Sequence, residues 1–518
     1  MAPLPSLLRG ARGSSYPVGT LVAAALVAIL ALLPLGFIVG YTISTGWAET
    51  QRLIFRPRTA ELLWNTVRLT GGCVLLCAVL GTGAAWLVER STLPGRRIWH
   101  VLLVAPLAIP AFVNSYGWVS LLPGASGYLG ALLIVTLSYF PLVYLPVVAT
   151  LRGLDPALEE TSYALGHGCL RTFVSVVLPQ LRPALLGGCL LVSLHLLAEF
   201  GALQMLRFPT FTTAIYDQFQ SSYNGPAANM LAAVLVLCCL LLLVAELRLR
   251  GRARYARVGA GAARPAIRLR LRGWTAPVLA GLGALIALAL AVPVGSLVFW
   301  LVTGRSANVT LADLLTAAGS SLGLGAIAAV CTVVFAIPVA WLYVRHSGWP
   351  ATMLERSTYF GNALPGIVVA LALVTIGVHA FPALYQTTSL LIAAYVILFL
   401  PRAVVNVRAA LAQAPPVLDD VAHSLGLSRT ATLRRVTLPL IAPGLGAGAA
   451  LVFIAVVTEL TATLLLAPTG TQTLATQFWS YSDSVAYGAA APYAAVMVVL
   501  SAPATFLLTR ESTRTTRP

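Results

Sequence analysis

The sequence has no lysine. All 33 of its basic side chains are arginine, and this excludes a Walker A phosphate loop, which needs a Lys to reach the nucleotide phosphates. Charge of either sign is scarce: charged residues are 9% of 518 positions, against 58% hydrophobic. That is too little charge to cover a water-soluble surface of this size, so the chain is an integral membrane protein. Any nucleotide hydrolysis it depends on must come from another chain. The seven cysteines, Cys73, Cys77, Cys169, Cys189, Cys238, Cys239 and Cys331, all fall in apolar stretches without zinc-type spacing, and are expected to be small buried hydrophobes. There is no Met, Cys or His cluster suited to a soft metal. No cleavable leader is expected either. Arg9 and Arg12 precede an apolar run from about Leu21 to Tyr41 that is too long for a signal peptide and lacks a small-residue cleavage site. It is expected to be an uncleaved first span with its N-terminus inside. The net charge of +17 would suit a nucleic-acid partner, but Arg concentrated in cytoplasmic loops accounts for it, and no nucleic acid is expected.

What is present is a long series of apolar runs. Six lie in the first half, near 21–41, 63–88, 98–122, 128–150, 183–206 and 227–247, and six in the second, near 275–303, 314–344, 357–380, 388–411, 440–466 and 486–509. Between the two sets, Arg248 to Arg272 is a Gly/Ala/Pro-punctuated basic linker with no acidic residue, placed by its charge on the inner side near anionic lipid. The basic tail belongs on the same side, which puts both termini in the cytoplasm. Segments 45–61 and 207–225 then face outward, with Glu49 and Glu61 offsetting part of the charge of Arg52, Arg56 and Arg58. The expected organisation is a first half over 1–247, a linker over 248–273 and a second half over 274–518. Ala85-Trp86-Leu87 matches Ala340-Trp341-Leu342, and Pro110 matches Pro365, each 255 residues apart. Because each half has an even number of spans, the repeat is parallel, about an axis along the membrane normal. The expected fold is all-α, with about twelve transmembrane helices in two six-helix halves.

One polar stretch occurs in both halves. Residues 155–183 read DPALEETSYALGHGCLRTFVSVVLPQLRP and residues 415–443 read PPVLDDVAHSLGLSRTATLRRVTLPLIAP, in register at an offset of 260 without a gap. Each predicts a short helix, a Gly turn, a second short helix and a Pro-bearing entry into the next span. Asp155 is placed to cap the first helix and Pro156 suits its first turn, while Glu159 and Glu160 complement the positive end of its dipole. Pro416, Asp419 and Asp420 repeat that arrangement. Leu158, Ser162 and Leu165, like Leu418, Ala422 and Leu425, share one helical face. Gly166 and Gly426 permit a turn that a side chain would oppose. A single such loop reads equally well as an ordinary amphipathic interfacial segment or as a docking loop, and two in one register tip the balance towards docking on a symmetric partner.

These loops resemble the signature loop of binding-protein-dependent ABC importer permeases, Glu-Ala-Ala, three residues, Gly, nine residues, then Ile-x-Leu-Pro. The matching residues are Glu160-Thr161-Ser162, Gly166 and Val176-Val177-Leu178-Pro179, and Asp420-Val421-Ala422, Gly426 and Val436-Thr437-Leu438-Pro439. The alanines are largely replaced, one acid is Asp and Val stands for Ile, but the spacing is intact twice. The resemblance implies a type I ABC importer transmembrane domain in the bacterial inner membrane, working by alternating access. It also implies that Glu159, Glu160, Gly166, Pro179, Asp419, Asp420, Gly426 and Pro439 lie in loops that dock on a cytoplasmic ABC ATPase homodimer. That partner would bind ATP and Mg, this chain would hold no cofactor, and a periplasmic binding protein would deliver the substrate. Two further segments, Ala198-Glu199-Phe200-Gly201-Ala202 with FPTFTTAIYDQF and Thr458-Glu459-Leu460-Thr461-Ala462 with TQTLATQFWSY, are similar to fused permeases of ferric-iron importers. Thiamine permeases share the two-half design, and single-half relatives serve polyamines, sulfate or phosphonates.

Glu199 and Glu459, again 260 apart, stand out without any family argument. A carboxylate inside a span costs roughly 2.5–3.5 kcal/mol on insertion scales, so such groups face a bundle interior or an aqueous cavity. His195 lies one turn before Glu199 and is placed to share its face. The three either line a cation route or lock helices together by hydrogen bonds. His379 and His423 have no such pairing. A ferric ion, as a hard cation, prefers oxygen ligands, and Tyr216, Asp217, Tyr223, Tyr481, Asp483 and Tyr487 lie in outer loops, where aromatic residues more often anchor span ends. None of them is assigned as a metal site. The rival from another class is an ion-driven secondary transporter of six plus six helices, favoured by the Glu pair and disfavoured by the double loop.

Overall fold

The computed structural model describes residues 17–250, 268–304, 309–346 and 348–514. Arg9, Arg12, most of the basic linker and the last four residues lie outside it. Among the described residues the only extended pairing is an isolated bridge between Ser91 and Leu269, and everything else regular is helical. Backbone groups in hydrocarbon must be satisfied within their own segment, which for an apolar run leaves the helix. Nine helices among the described residues are long and apolar enough to cross a membrane, from Val18–Thr45 to Thr430–Val457. A bent pair, Arg96–Ala108 with Ala111–Leu121, and two shorter apolar helices, Gly366–His379 and Tyr487–Pro503, account for the remaining runs. Every apolar run of the sequence thus has its helix, and the all-α membrane fold in two repeats is observed.

Four runs are not the uninterrupted spans their hydropathy suggests. The third bends by 89° between Ala108 and Ala111. Pro110 sits at the break as the cap of Ala111–Leu121, with φ −54° and ψ 142°, and Pro365 caps Gly366–His379 with φ −58° and ψ 144°. Proline offers no amide hydrogen and disfavours helical geometry in the residue before it, so the two matched prolines break their runs at equivalent points. The fifth run breaks after Ala198, and the eleventh after Val457. Glu199 and Glu459 are therefore not inside regular helix. Each occupies a break, ahead of the short helices Gly201–Met205 and Thr461–Leu466.

Close packing is built from small residues, as expected where lipid supplies no hydrophobic drive between helices. A Cβ on Gly81 would come within 2.9 Å of the Tyr144 amide nitrogen, and one on Gly188 within 2.9 Å of Val143 Cα. Pro57–Arg90, Pro141–Gly153 and Leu178–Ala198 meet there. Cys73 and Cys77 are fully buried at the same packing layer, donating to the carbonyls of Leu132 and Thr136. Cys169 departs from the expectation of burial: it is exposed, because it begins the short helix Cys169–Thr172 in the repeated loop rather than a span. In segment 45–61, Glu49–Arg52 and Arg58–Glu61 form exposed i,i+3 pairs, which offset charge but contribute little stability.

Two compact units cut across the sequence halves. One comprises 17–33, Ala326–Asn362 and Tyr395–Phe453, and the other Pro34–Gly325, Ala363–Ala394 and 454–514. The first repeated loop lies in the larger unit, together with both acidic breaks; the second repeated loop lies in the smaller one.

Candidate coupling loops and translocation site

The two repeated loops have the same backbone. In the first, Asp155 accepts from the Ala157 amide at 3.0 Å, the helix Ala157–Ala164 comes next, and Gly166 turns the chain at φ +77°. In the second, Pro416–Ser424 leads to Gly426 at φ +85°. The closing bonds also correspond. Gly166 N–H donates to Tyr163 O (2.9 Å) and His167 N–H to Ser162 O (3.1 Å), while Gly426 N–H donates to His423 O (3.0 Å) and Leu427 N–H to Ala422 O (3.0 Å). Both then pass through a four-residue helix and a π-turn into the next span, with Pro179 and Pro439 just after the π-turn, where the shifted hydrogen-bond ladder accommodates a residue without an amide hydrogen.

The acids in these helices part company. Glu159 points into the protein, where Arg90 Nη2 reaches its Oε1 at 2.9 Å with both side chains almost fully buried. Arg90 Nε donates to the same oxygen at 3.0 Å, and Nη2 also donates to the Leu151 carbonyl at 2.9 Å. In the second loop Asp419 pairs with Arg345 at 3.1 Å and accepts from Thr437 Oγ1 at 2.8 Å. Arg345 lies 255 residues after Arg90, and Asp419 lies 260 after Glu159, the two offsets already seen on either side of the insertion. Each loop helix is thus fastened to the end of a span of its own half. Neither Arg90 nor Arg345 stands out in the sequence, although their shared offset is there to be found. Glu160 is only partly buried and Asp420 is exposed, so these acids, and not their neighbours, face outward. The apolar face splits likewise: Ser162 and Ala422 are buried, while Leu165 and Leu425 are 71% and 77% exposed. Burial pushes the nearby Tyr163 phenol up to about 12.

The two acidic breaks also match. Glu199 Oε1 accepts from the Ala202 amide at 2.9 Å, and Glu459 Oε1 from the Ala462 amide at 3.1 Å, so each carboxylate satisfies the start of the short helix after it. Thr212 Oγ1 donates to the Glu199 carbonyl and Thr463 Oγ1 to that of Glu459, both at 2.7 Å. The breaks pack together: a Cβ on Gly201 would stand 2.8 Å from Leu460 Cδ2 and 2.9 Å from Phe112 Cβ. Around them Phe200 contacts Tyr216 and Trp479, and Phe112 contacts Phe478. His195 approaches Glu199 through a third residue, Tyr139, whose hydroxyl donates to Glu199 Oε2 and whose ring meets the His195 ring edge-on at 5.7 Å. His379 and His423 each contact a backbone carbonyl four residues away.

The six oxygen-bearing residues assigned above to outer loops do not converge on one point. Tyr223 is 87% exposed, Tyr481 stacks on Tyr493 and Tyr487 meets Tyr116 and Trp300. Tyr216, Asp217 and Asp483 are near enough to interact electrostatically, and burial raises both the Tyr216 phenol and the Asp217 carboxyl above their ordinary ranges. No group of three or more His, Cys, Asp or Glu positioned to hold a metal occurs among the described residues.

Two copies of one helical plan, each with a glycine-turned loop tied to its own span, define a two-repeat membrane permease. The profile of the family described as binding-protein-dependent transport system inner membrane component matches twice, over residues 78–255 and 332–517, and the chain belongs to that family of ABC importer permeases. It is similar to the Fe(3+)-transport system permease protein FbpB 2 of Haemophilus influenzae, at 38% identity across 93% of this chain and 96% of that protein. The ferric transport system permease protein FbpB of Actinobacillus pleuropneumoniae is 24% identical across 87% of this chain and 71% of its own length. The sulfate transport system permease protein CysT of Salmonella typhimurium aligns with 42% of this chain but 86% of itself, at 29% identity, as a single-half relative would.

Proposed function

We propose that this permease carries ferric iron, handed over by a periplasmic binding protein, across the inner membrane by alternating access. The cargo assignment is supported by the 38% identity, over nearly both full lengths, to a protein named for Fe(3+) transport. In this reading ATP and Mg are bound by a separate ATPase homodimer, this chain holds no cofactor and no hydrolytic site, and both termini face the cytoplasm. The observation that carries the coupling is the doubled loop: one backbone, two left-handed glycines and two inward ion pairs. Its outward residues, Glu160, Gly166 and Leu165 in one copy and Asp420, Gly426 and Leu425 in the other, form the docking face. Pro179 and Pro439 set the entry of the next spans. Glu159 and Asp419 act from behind that face, holding each loop helix to Arg90 or Arg345, so that a push on the loop moves a span. Glu199, Glu459 and His195 lie along the substrate route at the packed breaks.

The test is ATP-dependent uptake of radiolabelled ferric citrate into proteoliposomes containing permease, ATPase and binding protein. Uptake that competes with thiamine, a polyamine or a phosphonate in place of iron would reassign the cargo within the family. Uptake that continues with the ATPase removed would support the ion-driven carrier instead.

A further inference from the structure

The two acidic breaks share a backbone but differ in the residues around the carboxylate. In the first half Tyr139, His195 and Glu199 form one cluster, with the Tyr139 hydroxyl on Glu199 Oε2 and the His195 ring against the Tyr139 ring. The positions 260 residues further on are Phe399, Ala455 and Glu459. The acid is kept, while the phenol and the imidazole are both replaced by apolar groups. A role confined to capping the next helix accounts for the two glutamates, and leaves unexplained why the first is joined by a phenol and an imidazole.

We propose that Tyr139 and Glu199 form a transient oxygen-ligand pair for a hard trivalent cation, a one-sided waypoint belonging to the first half. The proposal rests on the reading of ferric iron as cargo. Metal–oxygen distances of about 2.0–2.2 Å at a right angle place two ligand oxygens about 2.8–3.1 Å apart, close to the separation of a hydrogen-bonded oxygen pair. An ion arriving here takes the place of the phenolic hydrogen: the O–H bond of Tyr139 breaks, a metal–phenolate bond forms, and the proton leaves to water. Binding then puts two anionic oxygens on the cation, the donor type that hard ions prefer and the charge that lowers the cost of a trivalent ion among apolar helices. Tyr139, His195 and Glu199 are all only partly buried, so the pair is not sealed into the core. Two protein ligands leave the other coordination positions to water or to an accompanying anion, which keeps residence short enough for release. A permease needs that weakness, and a closed ligand cage would trap its cargo.

The experiment uses proteoliposomes containing permease, ATPase and binding protein, supplied with ferric citrate, in the wild type and in Tyr139→Phe and Glu199→Gln. Wild type should develop a visible ferric–phenolate charge-transfer absorption during turnover, and Tyr139→Phe should lose it. Tyr139→Phe and Glu199→Gln should both lower iron uptake about tenfold or more, well beyond the modest fall in melting temperature that losing one hydrogen bond brings, and without abolishing ATP hydrolysis. If wild type takes up iron and Tyr139→Phe does so equally, or if uptake falls only in step with a lowered melting temperature, the pair is a structural fastening and the waypoint is wrong. If wild type takes up no iron, the cargo reading itself fails, and the waypoint with it.

Discussion

Arg90 and Glu159, sixty-nine residues apart in the chain, form a buried ion pair that fastens the first loop helix to the end of Pro57–Arg90. Their side chains are 6% and 7% exposed, which places the pair in the buried regime, where removing one partner costs about 3–5 kcal/mol, and not in the surface regime of about 0–1 kcal/mol. Arg90→Met should therefore lower the melting temperature of the complex, and replacing both residues, as Arg90→Met with Glu159→Leu, should recover much of that loss. If the pair transmits motion, the double variant will hydrolyse ATP but transport poorly. Normal transport by the double variant would show that the pair serves stability alone.

The second loop is tied less fully. Asp419 is 21% exposed, meets Arg345 at 3.1 Å and divides its oxygens between that side chain and Thr437. Arg345→Met is expected to cost less than Arg90→Met, by roughly 1–2 kcal/mol. Thermal unfolding of the two variants side by side checks the order, and equal losses would contradict it.

Gly166 and Gly426 both hold left-handed backbone, and neither has a neighbour within 4 Å of where a Cβ would be. Alanine at either position should cost about 1–2 kcal/mol through backbone strain alone. Tryptophan at both should also obstruct the proposed docking face. The double Trp variant should insert in the membrane but fail to co-purify with the ATPase, and retention of the ATPase would remove these loops from the interface.

At the packed breaks Gly201 has no room for a side chain, with Leu460 and Phe112 both under 3 Å from a Cβ. Gly201→Ala should destabilise by about 1–3 kcal/mol through overpacking, and, if the proposed route runs between the breaks, it should slow transport. An unchanged melting temperature would mean that Leu460 moves aside freely.

The short helices Phe211–Gln220 and Leu474–Asp483 begin with matching capping boxes, Thr210 with Thr213 and Thr473 with Thr476. Thr210→Ala and Thr473→Ala should each cost about 1 kcal/mol. Thermal unfolding in detergent should show losses of similar size at the two sites, and a loss at only one would argue against equivalent roles.

Much of this architecture was legible in the sequence because hydropathy and helical hydrogen bonding are local. Each apolar run became a helix, and the constant offset between DPALEETSYALG and PPVLDDVAHSLG already implied two equal loops. Hydropathy could not locate the breaks at Glu199 and Glu459, because a run stays apolar whether or not its helix continues. Pro110 and Pro365 are visible as a matched pair, but their effect as an 89° bend in the first half depends on the helices that receive the turned chain. Periodicity put Glu159 and Glu160 together at a helix start, where either could serve the dipole. Arg90 selected Glu159 for the interior, and that choice depends on a contact across 69 residues.

The sequence by itself determined the class: a membrane chain, duplicated in parallel, with one polar loop repeated in register and no nucleotide site of the Walker type. Composition and spacing suffice for these, and neither needs a third dimension. Tertiary structure decided which acid of each loop turns inward, and where the spans break. It also decided that Tyr139 meets Glu199 in one half, where the other half has Phe399 at the corresponding position. Those outcomes depend on side chains from distant segments arriving at one place, and a buried charge takes the partner that packing brings to it.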